Sequence, residues 1–283
     1  MRAVVVHEPG GPDVLSYEEV EPPEPGEGEL LIKVRAASVN PADWKARRGF
    51  REMQLPMVLG HDLSGTVEQS RAESFADGDE VFGNVPHGAY AELATASADV
   101  VAKKPAGVTH EQAAAIPVAG LTAWQALFDR GGLDRGQTVL IAGAAGGVGH
   151  LAVQFAKVAG ARAIGTGSSR NREFVLGLGA DEYVDYTQQD VADAVSGVDI
   201  AFDTVGGDTT ESLVPTVREG GIIVTIASAP PEEAAQARGA RAELHVASPN
   251  PEQLARIAEL VAQGAVRVEL AEVLPLTEIR RAH

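Results

Sequence analysis

The residues with the plainest chemical meaning run from Thr138 to Lys157, Thr-Val-Leu-Ile-Ala-Gly-Ala-Ala-Gly-Gly-Val-Gly-His-Leu-Ala-Val-Gln-Phe-Ala-Lys. A β-rich run leads into Ala144-Ala145-Gly146-Gly147-Val148-Gly149. A helical pattern follows, with Val148, Leu151, Ala152, Phe155 and Ala159 on one face. The turn is G-x-G-x-x-G with Ala144 in the first glycine position. Gly146 lets the backbone approach a pyrophosphate, Gly149 lets helix and strand pack closely, and the helix start turns its N–H groups toward the anion. Glycines alone would equally mark a turn that packs a helix on a sheet. The strand before, the helix after and the alternation beyond select dinucleotide binding.

An NAD site carries Asp or Glu at the tip of the second strand, about 20 residues past the glycines, to accept from the ribose 2′-OH. This chain has Gly167-Ser168-Ser169-Arg170 there. A carboxylate would repel a 2′-phosphate, whereas a glycine leaves room, hydroxyls donate and a guanidinium pairs with it. The sequence therefore predicts NADPH as the cofactor. A solvated turn is the alternative for Arg170, and Arg172 is equally placed to serve a helix surface.

Other chemistries are narrowed by what the chain lacks. It has no Cys, which removes disulfides, thiolate nucleophiles and Cys-based zinc sites. None of the seven His shows the i, i+4 spacing of a helical metal pair in HExxH. Lys plus Arg total 23 against 40 Asp plus Glu, a net charge of -17. That field repels phosphate backbones and anionic lipid, so neither nucleic acid nor a membrane surface is an expected partner. Val139 to Ala156 is broken by glycines and His150, which suits a strand, turn and helix better than a bilayer span. The N-terminal apolar run is too short for a signal peptide, and a cytoplasmic location is expected.

The elements that must position these residues fall into two rhythms. Up to about residue 115 short β-rich runs are broken by Gly and Pro, as at Ala3 to Val6, Gly10-Gly11-Pro12 and Glu21 to Gly28. Leu30, Ile32, Val34 and Ala36 alternate with Leu31, Lys33 and Arg35, the period of a strand buried mostly on one face. After Pro117 strand and helix alternate: Thr138 to Ala142, a helix to Ala159, Arg162 to Gly165, a helix to Leu178, then strands at Tyr183, Val198 to Phe202 and Ile222 to Ile226. Such alternation predicts a parallel sheet covered on both faces. Asn250-Pro251-Glu252 reads as N-cap, N1 and acidic first turn of a helix that Gly264 stops, with a stripe of Leu254, Ile257, Ala258 and Val261. Ala229 to Arg241 fits either a short helix or a loop. At 283 residues the chain has room for two domains. The expected division is 1–117 with 266–283, β-rich, and 118–265, α/β.

With these residues in hand, the chain resembles the zinc-independent quinone oxidoreductase branch of the medium-chain dehydrogenase/reductase superfamily, which includes recruited lens crystallins. The landmarks are Arg2-Ala-Val-Val-Val, Ala36-Ala-Ser-Val-Asn-Pro-Ala-Asp, Gly60-His-Asp-Leu-Ser-Gly-Thr-Val, Gly78-Asp-Glu-Val-Phe-Gly, Gly88-Ala-Tyr-Ala-Glu, Pro117-Val-Ala-Gly-Leu-Thr-Ala-Trp and Asp203-Thr-Val-Gly-Gly. The resemblance implies a GroES-like β domain beside a Rossmann domain, an active site in the cleft between them, and a homodimer. It also implies that the family continues past Leu276 to His283 into a final Gly-Lys-containing strand.

Zinc-dependent relatives use Cys where Asn40 stands and a His matching His61. Without those Cys, the resemblance implies hydride transfer without a metal, onto acceptors already polarised by conjugation, quinones and α,β-unsaturated carbonyls. His61 then reads as a hydrogen-bonded structural residue, and zinc on His61 with Asp43 or Asp62 as the minor alternative. By resemblance Asn40 lines the nicotinamide end, though it equally caps the turn before Pro41. Thr122 matches a position near the nicotinamide, with helix packing as its other role. Trp44 is expected either to wall the substrate cleft or to fill the core. Asp203 and Val205 after the fourth strand, and Ala227 and Ser228 after the fifth, are expected at the ligand edge. No proton donor stands out; Tyr90 and Ser38 are the candidates. An enoyl-thioester reductase and a crystallin-like NADPH-binding protein with little turnover are the competing readings.

Overall fold

A computed structural model of the chain describes residues 1–50 and 54–283. Contacts gather them into two compact units: Met1–Val118 with Pro249–Gln263 and Val268–His283, and Ala119–Ser248 with Gly264–Arg267.

The first unit holds β1 (Arg2–Val6), β2 (Leu15–Glu19), β3 (Glu29–Ser38), α1 (Pro41–Arg47), β4 (Met57–Val58), β5 (Asp62–Ser70), β6 (Glu80–Asn84), β7 (Leu93–Ser97), β8 (Val101–Lys103) and α2 (His110–Ala114). Its strands pair antiparallel in two sheets, ordered β2-β1-β4 and β7-β3-β5-β6-β8. Leu30 and Ile32 are fully buried while Lys33 and Arg35 are exposed, as the alternation predicts. The alternation weakens beyond Ile32, where Val34 and Ala36 are both half-buried and the register against β5 shifts between them. Leu30 and Ile32 join Leu63, Val67, Val81, Val85 and Val101 in one apolar cluster.

The second unit opens within α3 (Pro117–Trp124), which widens into a π-helical turn at Gln125–Arg130. β9 (Thr138–Ala142), α4 (Gly147–Val158), β10 (Arg162–Gly167), α5 (Arg172–Gly177), β11 (Glu182–Asp185), α6 (Val191–Ala194), β12 (Val198–Asp203), α7 (Asp208–Ser212), β13 (Val217–Thr225), α8 (Glu232–Gln236) and β14 (Arg241–Leu244) follow. The six strands are parallel, ordered β11-β10-β9-β12-β13-β14. β9 and β12 read as near-continuous apolar runs because both faces of this sheet are covered. The chain runs outward from β9 in both directions, so the crevice beyond the carboxyl ends of β9 and β12 is the place for a ligand.

Some local expectations are refined. The stretch read as one helix to Leu178 is a 3-10 turn at Ser169–Asn171 followed by α5. Ala229 to Arg241 holds the short helix α8 and leads into the edge strand β14. α4 is buried all along Gly149 to Ala156 instead of on one stripe, since it packs against β9 and β10. α9 (Pro251–Ala262) starts where Asn250 accepts from the Gln253 N–H at 3.0 Å, and buries Leu260 in place of Val261. It packs beside β8 within the first unit. α10 (Ile279–Ala282) sends Ile279 into the cluster of Val4, Val6, Leu15 and Tyr90.

Candidate active site and cofactor turn

The turn after β9 is built by close approach. Gly143 has φ +72, and a Cβ there would stand 2.5 Å from Thr204 Oγ1. Thr204 in turn donates to the Ala142 carbonyl at 2.7 Å, tying the turn to the end of β12. A Cβ on Gly149 would lie 2.2 Å from the Gly143 carbonyl oxygen and 2.8 Å from Ala144 Cα. Gly149 thus performs the helix-to-strand packing that the spacing predicts. Ala144 is fully buried, with its N–H on the Thr166 carbonyl at 3.1 Å. Its side chain packs toward Gly165, so Ala144 lines the turn from beneath. Gly146 and Gly147 are exposed, and nothing lies within 4 Å of where a Gly147 Cβ would be. Val148 is half-buried. Helix geometry leaves the first-turn N–H groups of Gly147, Val148 and Gly149 without intrahelical acceptors, at the positive end of a twelve-residue helix. This is a cradle open to an anion.

At the tip of β10 the expected group is present, with one addition. Gly167 is required by Tyr183, whose hydroxyl would sit 2.3 Å from a Cβ there and donates to the Ser168 carbonyl at 2.8 Å. Ser169 is exposed and its hydroxyl donates to Asp185. Asp185 also accepts from Thr187 N at 2.9 Å and Thr187 Oγ1 at 2.7 Å. The Ser169 hydrogen bond, then those from Thr187, hold its carboxyl below the ordinary range, so it is ionised at neutral pH. Of the two arginines, Arg172 is engaged with the Tyr183 carbonyl at 3.2 Å and lies over the Tyr183 ring. Arg170 is exposed and makes no hydrogen bond or ion pair among the described residues.

Asp203 ends β12 fully buried, accepting from the N–H groups of Val205 at 2.9 Å and Gly206 at 3.1 Å and from the Thr210 hydroxyl. Its carboxylate thereby shapes the loop that carries Val205 and Gly206. Val205 and Ala227 are the exposed apolar residues at this edge. Ser228 is half-buried and shares a 2.6 Å hydrogen bond with Thr210. Thr122 lies buried on α3.

In the first unit a polar network surrounds Asn40. Its N–H donates to Asp43 Oδ2 at 2.7 Å, and its Nδ2 donates to Asp62 Oδ2 at 2.9 Å and Ser38 Oγ at 3.2 Å. Asp43 is fully buried and its other oxygen meets His61 Nδ1 at 2.5 Å. Asp62 also accepts from Ser38 Oγ, Asn84 Nδ2 and Val118 N. Burial nevertheless pushes its carboxyl up to about 6, against the pull of those hydrogen bonds. His61 is therefore the hydrogen-bonded histidine expected, and Asn40 both opens α1 and braces Asp62. Trp44 takes no part in these bonds. It is half-buried, neither core nor free, with Lys45 Nζ 5.7 Å and Arg48 Cζ 5.2 Å from its ring. Tyr90 is sealed, donating to the Ser38 carbonyl at 3.3 Å, and burial raises its hydroxyl far above the ordinary tyrosine range. That removes it as a proton donor to a substrate.

Comparison with known proteins agrees with this fold. The pattern described as "Alcohol dehydrogenase GroES-like domain" matches residues 26–106, and that described as "Zinc-binding dehydrogenase" matches residues 178–283. The quinone oxidoreductase of Pseudomonas aeruginosa is 34% identical, covering 97% of this chain and 92% of its own length. The chain belongs to the quinone oxidoreductase family of medium-chain dehydrogenases/reductases. An Arabidopsis thaliana chloroplast protein named NADPH-dependent alkenal/one oxidoreductase is 37% identical over 81% of this chain and 63% of its own. The solved quinone oxidoreductase of Coxiella burnetii superposes with a TM-score of 0.93 at 35% identity, covering 100% of this chain and 94% of that one. The GroES-like and Rossmann architecture of the family is the one described above.

Three contacts lie outside the sequence expectations: the Thr204 hydroxyl on the Ala142 carbonyl, Tyr183 against Gly167, and the Asp185 carboxylate on Ser169. A signal for the last existed, since Asp185 ends the strand that follows β10 and parallel strands end at the same edge.

Proposed function

We propose that this chain is an NADPH-dependent reductase of quinones and other α,β-unsaturated carbonyl compounds, working without zinc. The observation that carries the reading is the open, side-chain-free start of α4, where Gly147 leaves room for a diphosphate in front of unbonded N–H groups. Gly146, Gly147, Val148 and Gly149 hold the diphosphate there, Ser168 and Arg170 attend the ribose end, and Val205 and Ala227 bound the carboxyl edge of the sheet. NADPH, when bound, supplies the hydride. Within the second unit Thr122 attends the nicotinamide end; on the family's pattern Asn40 and Trp44 are assigned to catalysis. The printed names of the relatives, quinone and alkenal/one reductases, support the acceptor class.

The donor set argues for a zinc-free reaction. The chain has no thiolate to offer, Asn40 carries a neutral amide, and the Asp43 carboxylate is committed to His61 and the Asn40 N–H. On the family's pattern we further assign the protein to the cytoplasm and to a homodimer. Among the described residues no helix is long and apolar enough to cross a membrane.

The test is loss of NADPH absorbance with a panel of quinones, enones and enoyl thioesters, beside calorimetry with NADPH and NADP+. Turnover of quinones or enones is expected. Turnover confined to thioesters moves the assignment to acyl-chain reduction. Tight binding with no turnover on any acceptor makes this a binding protein, and no binding at all removes the dinucleotide reading.

A further inference from the structure

The carboxylate at the ribose end bears on a question that the assignment of NADPH leaves open, how strongly the site rejects NADH. We infer that Asp185 is the residue that sets the NADPH-to-NADH balance, holding the preference for NADPH low enough for NADH to serve as well. The inference rests on the dinucleotide reading of the turn before α4.

Three observations support it. First, Asp185 on β11 stands directly opposite Gly167 on β10 in the parallel register. Neighbouring strands lie about 4.8 Å apart. The acidic group that an NAD site carries on its second strand is therefore present one strand across, at the same height. Second, the Ser169 hydroxyl has a single proton and donates it to Asp185. Toward a 2′-phosphate it presents only lone pairs, so a residue that looks like a phosphate donor in sequence is switched to the opposite role. Third, the positive charge available is small. Arg172 is drawn back onto Tyr183 by its carbonyl and its ring. Its charge also acts on Asp185, which leaves Arg170 as the exposed cation with no partner among the described residues.

The same arrangement suits a ribose 2′-OH. A carboxylate has roughly four acceptor positions, and Asp185 uses three, for Ser169 Oγ, Thr187 N and Thr187 Oγ1. One remains to accept a ribose hydroxyl, which NADH has and NADPH lacks at the 2′ position.

The experiment measures dissociation constants of NADPH and NADH by calorimetry on the full chain, for wild type, Asp185→Asn, Asp185→Ser, Ser169→Ala and the Asp185→Asn/Ser169→Ala double variant. Wild type is expected to bind both cofactors, with NADPH favoured by less than about a hundredfold. Removing the charge in either Asp185 variant should tighten NADPH by about three- to tenfold at low salt, with the gain shrinking as salt rises. NADH affinity should stay level or weaken. Ser169→Ala should leave NADPH affinity within about twofold in wild type, because its proton is already committed. In the Asp185→Asn background the same change should cost part of the gain. If both cofactors bind wild type and neither Asp185 variant shifts their ratio, the inference is overturned while the dinucleotide reading stands. If neither cofactor binds wild type, it is the dinucleotide reading that fails.

Discussion

Replacing Gly149 by Ala adds one methyl group where the structure has no room for it. The new Cβ would stand 2.2 Å from the Gly143 carbonyl oxygen, 2.8 Å from Ala144 Cα and 2.9 Å from the Gly143 carbonyl carbon. All three neighbours are backbone, so no side chain can rotate away, and the turn must move about 1 Å from α4. Overpacking of this kind costs roughly 1–3 kcal/mol, with a rigid wall at the upper end or above. Against this, Ala is favoured over Gly inside a helix by about 1 kcal/mol. A net destabilisation of about 2–3 kcal/mol follows, seen as a fall of roughly 5–10 °C in the melting of the second unit. Gly147→Ala is the control. It lies on the same turn with nothing within 4 Å of the new methyl, so stability should stay within about 0.5 kcal/mol. Its NADPH affinity should nevertheless fall at least tenfold, because the methyl projects into the space left for the diphosphate. Thermal and urea unfolding of both variants, with calorimetry on NADPH, check this. A Gly149→Ala protein as stable as wild type would refute the packing argument, and a Gly147→Ala protein with unchanged NADPH affinity would refute the cradle.

Arg170→Ala should weaken NADPH by about 1–3 kcal/mol and leave NADH nearly unchanged, the cost of losing one charge-assisted partner of the 2′-phosphate; equal losses for both cofactors would remove Arg170 from that role. Asp203→Asn keeps the shape of a carboxyl that shapes the loop through Val205, Gly206 and Thr210, yet loses acceptor capacity in a fully buried site, and should cost about 1–3 kcal/mol in urea unfolding. Asp62 is pushed up to about 6 from 3.8 by burial. Between those values the folded chain holds a proton that the unfolded chain has released, so this contribution to stability is complete below pH about 4 and lost as pH rises through about 6. Relative to Asp62→Asn, wild type should lose up to about 3 kcal/mol across that window, and parallel pH profiles for the two proteins would contradict the assignment.

What the sequence determined by itself was whatever is written in local spacing. The glycine turn, the start and stop of α9 and the change from a period near two to strand–helix alternation depend on residues within a few positions of one another. The family landmarks are likewise short segments, and together they indicated the two-domain architecture and the cofactor class. Only the tertiary structure decided what those residues face. Sheet register set Asp185 across from Gly167 and turned Ser169 from a phosphate donor into a donor to a carboxylate. Packing placed Asp203 and Ala144 inward, although both sit in the segments expected to hold the ligand. The pairing of β3 with β5, and α1 beside them, drew Asn40, Asp43, His61 and Asp62 into one network, and burial then moved Asp62 far from its ordinary pKa. Strand pairing and desolvation act between residues distant in the chain, so no local pattern records them.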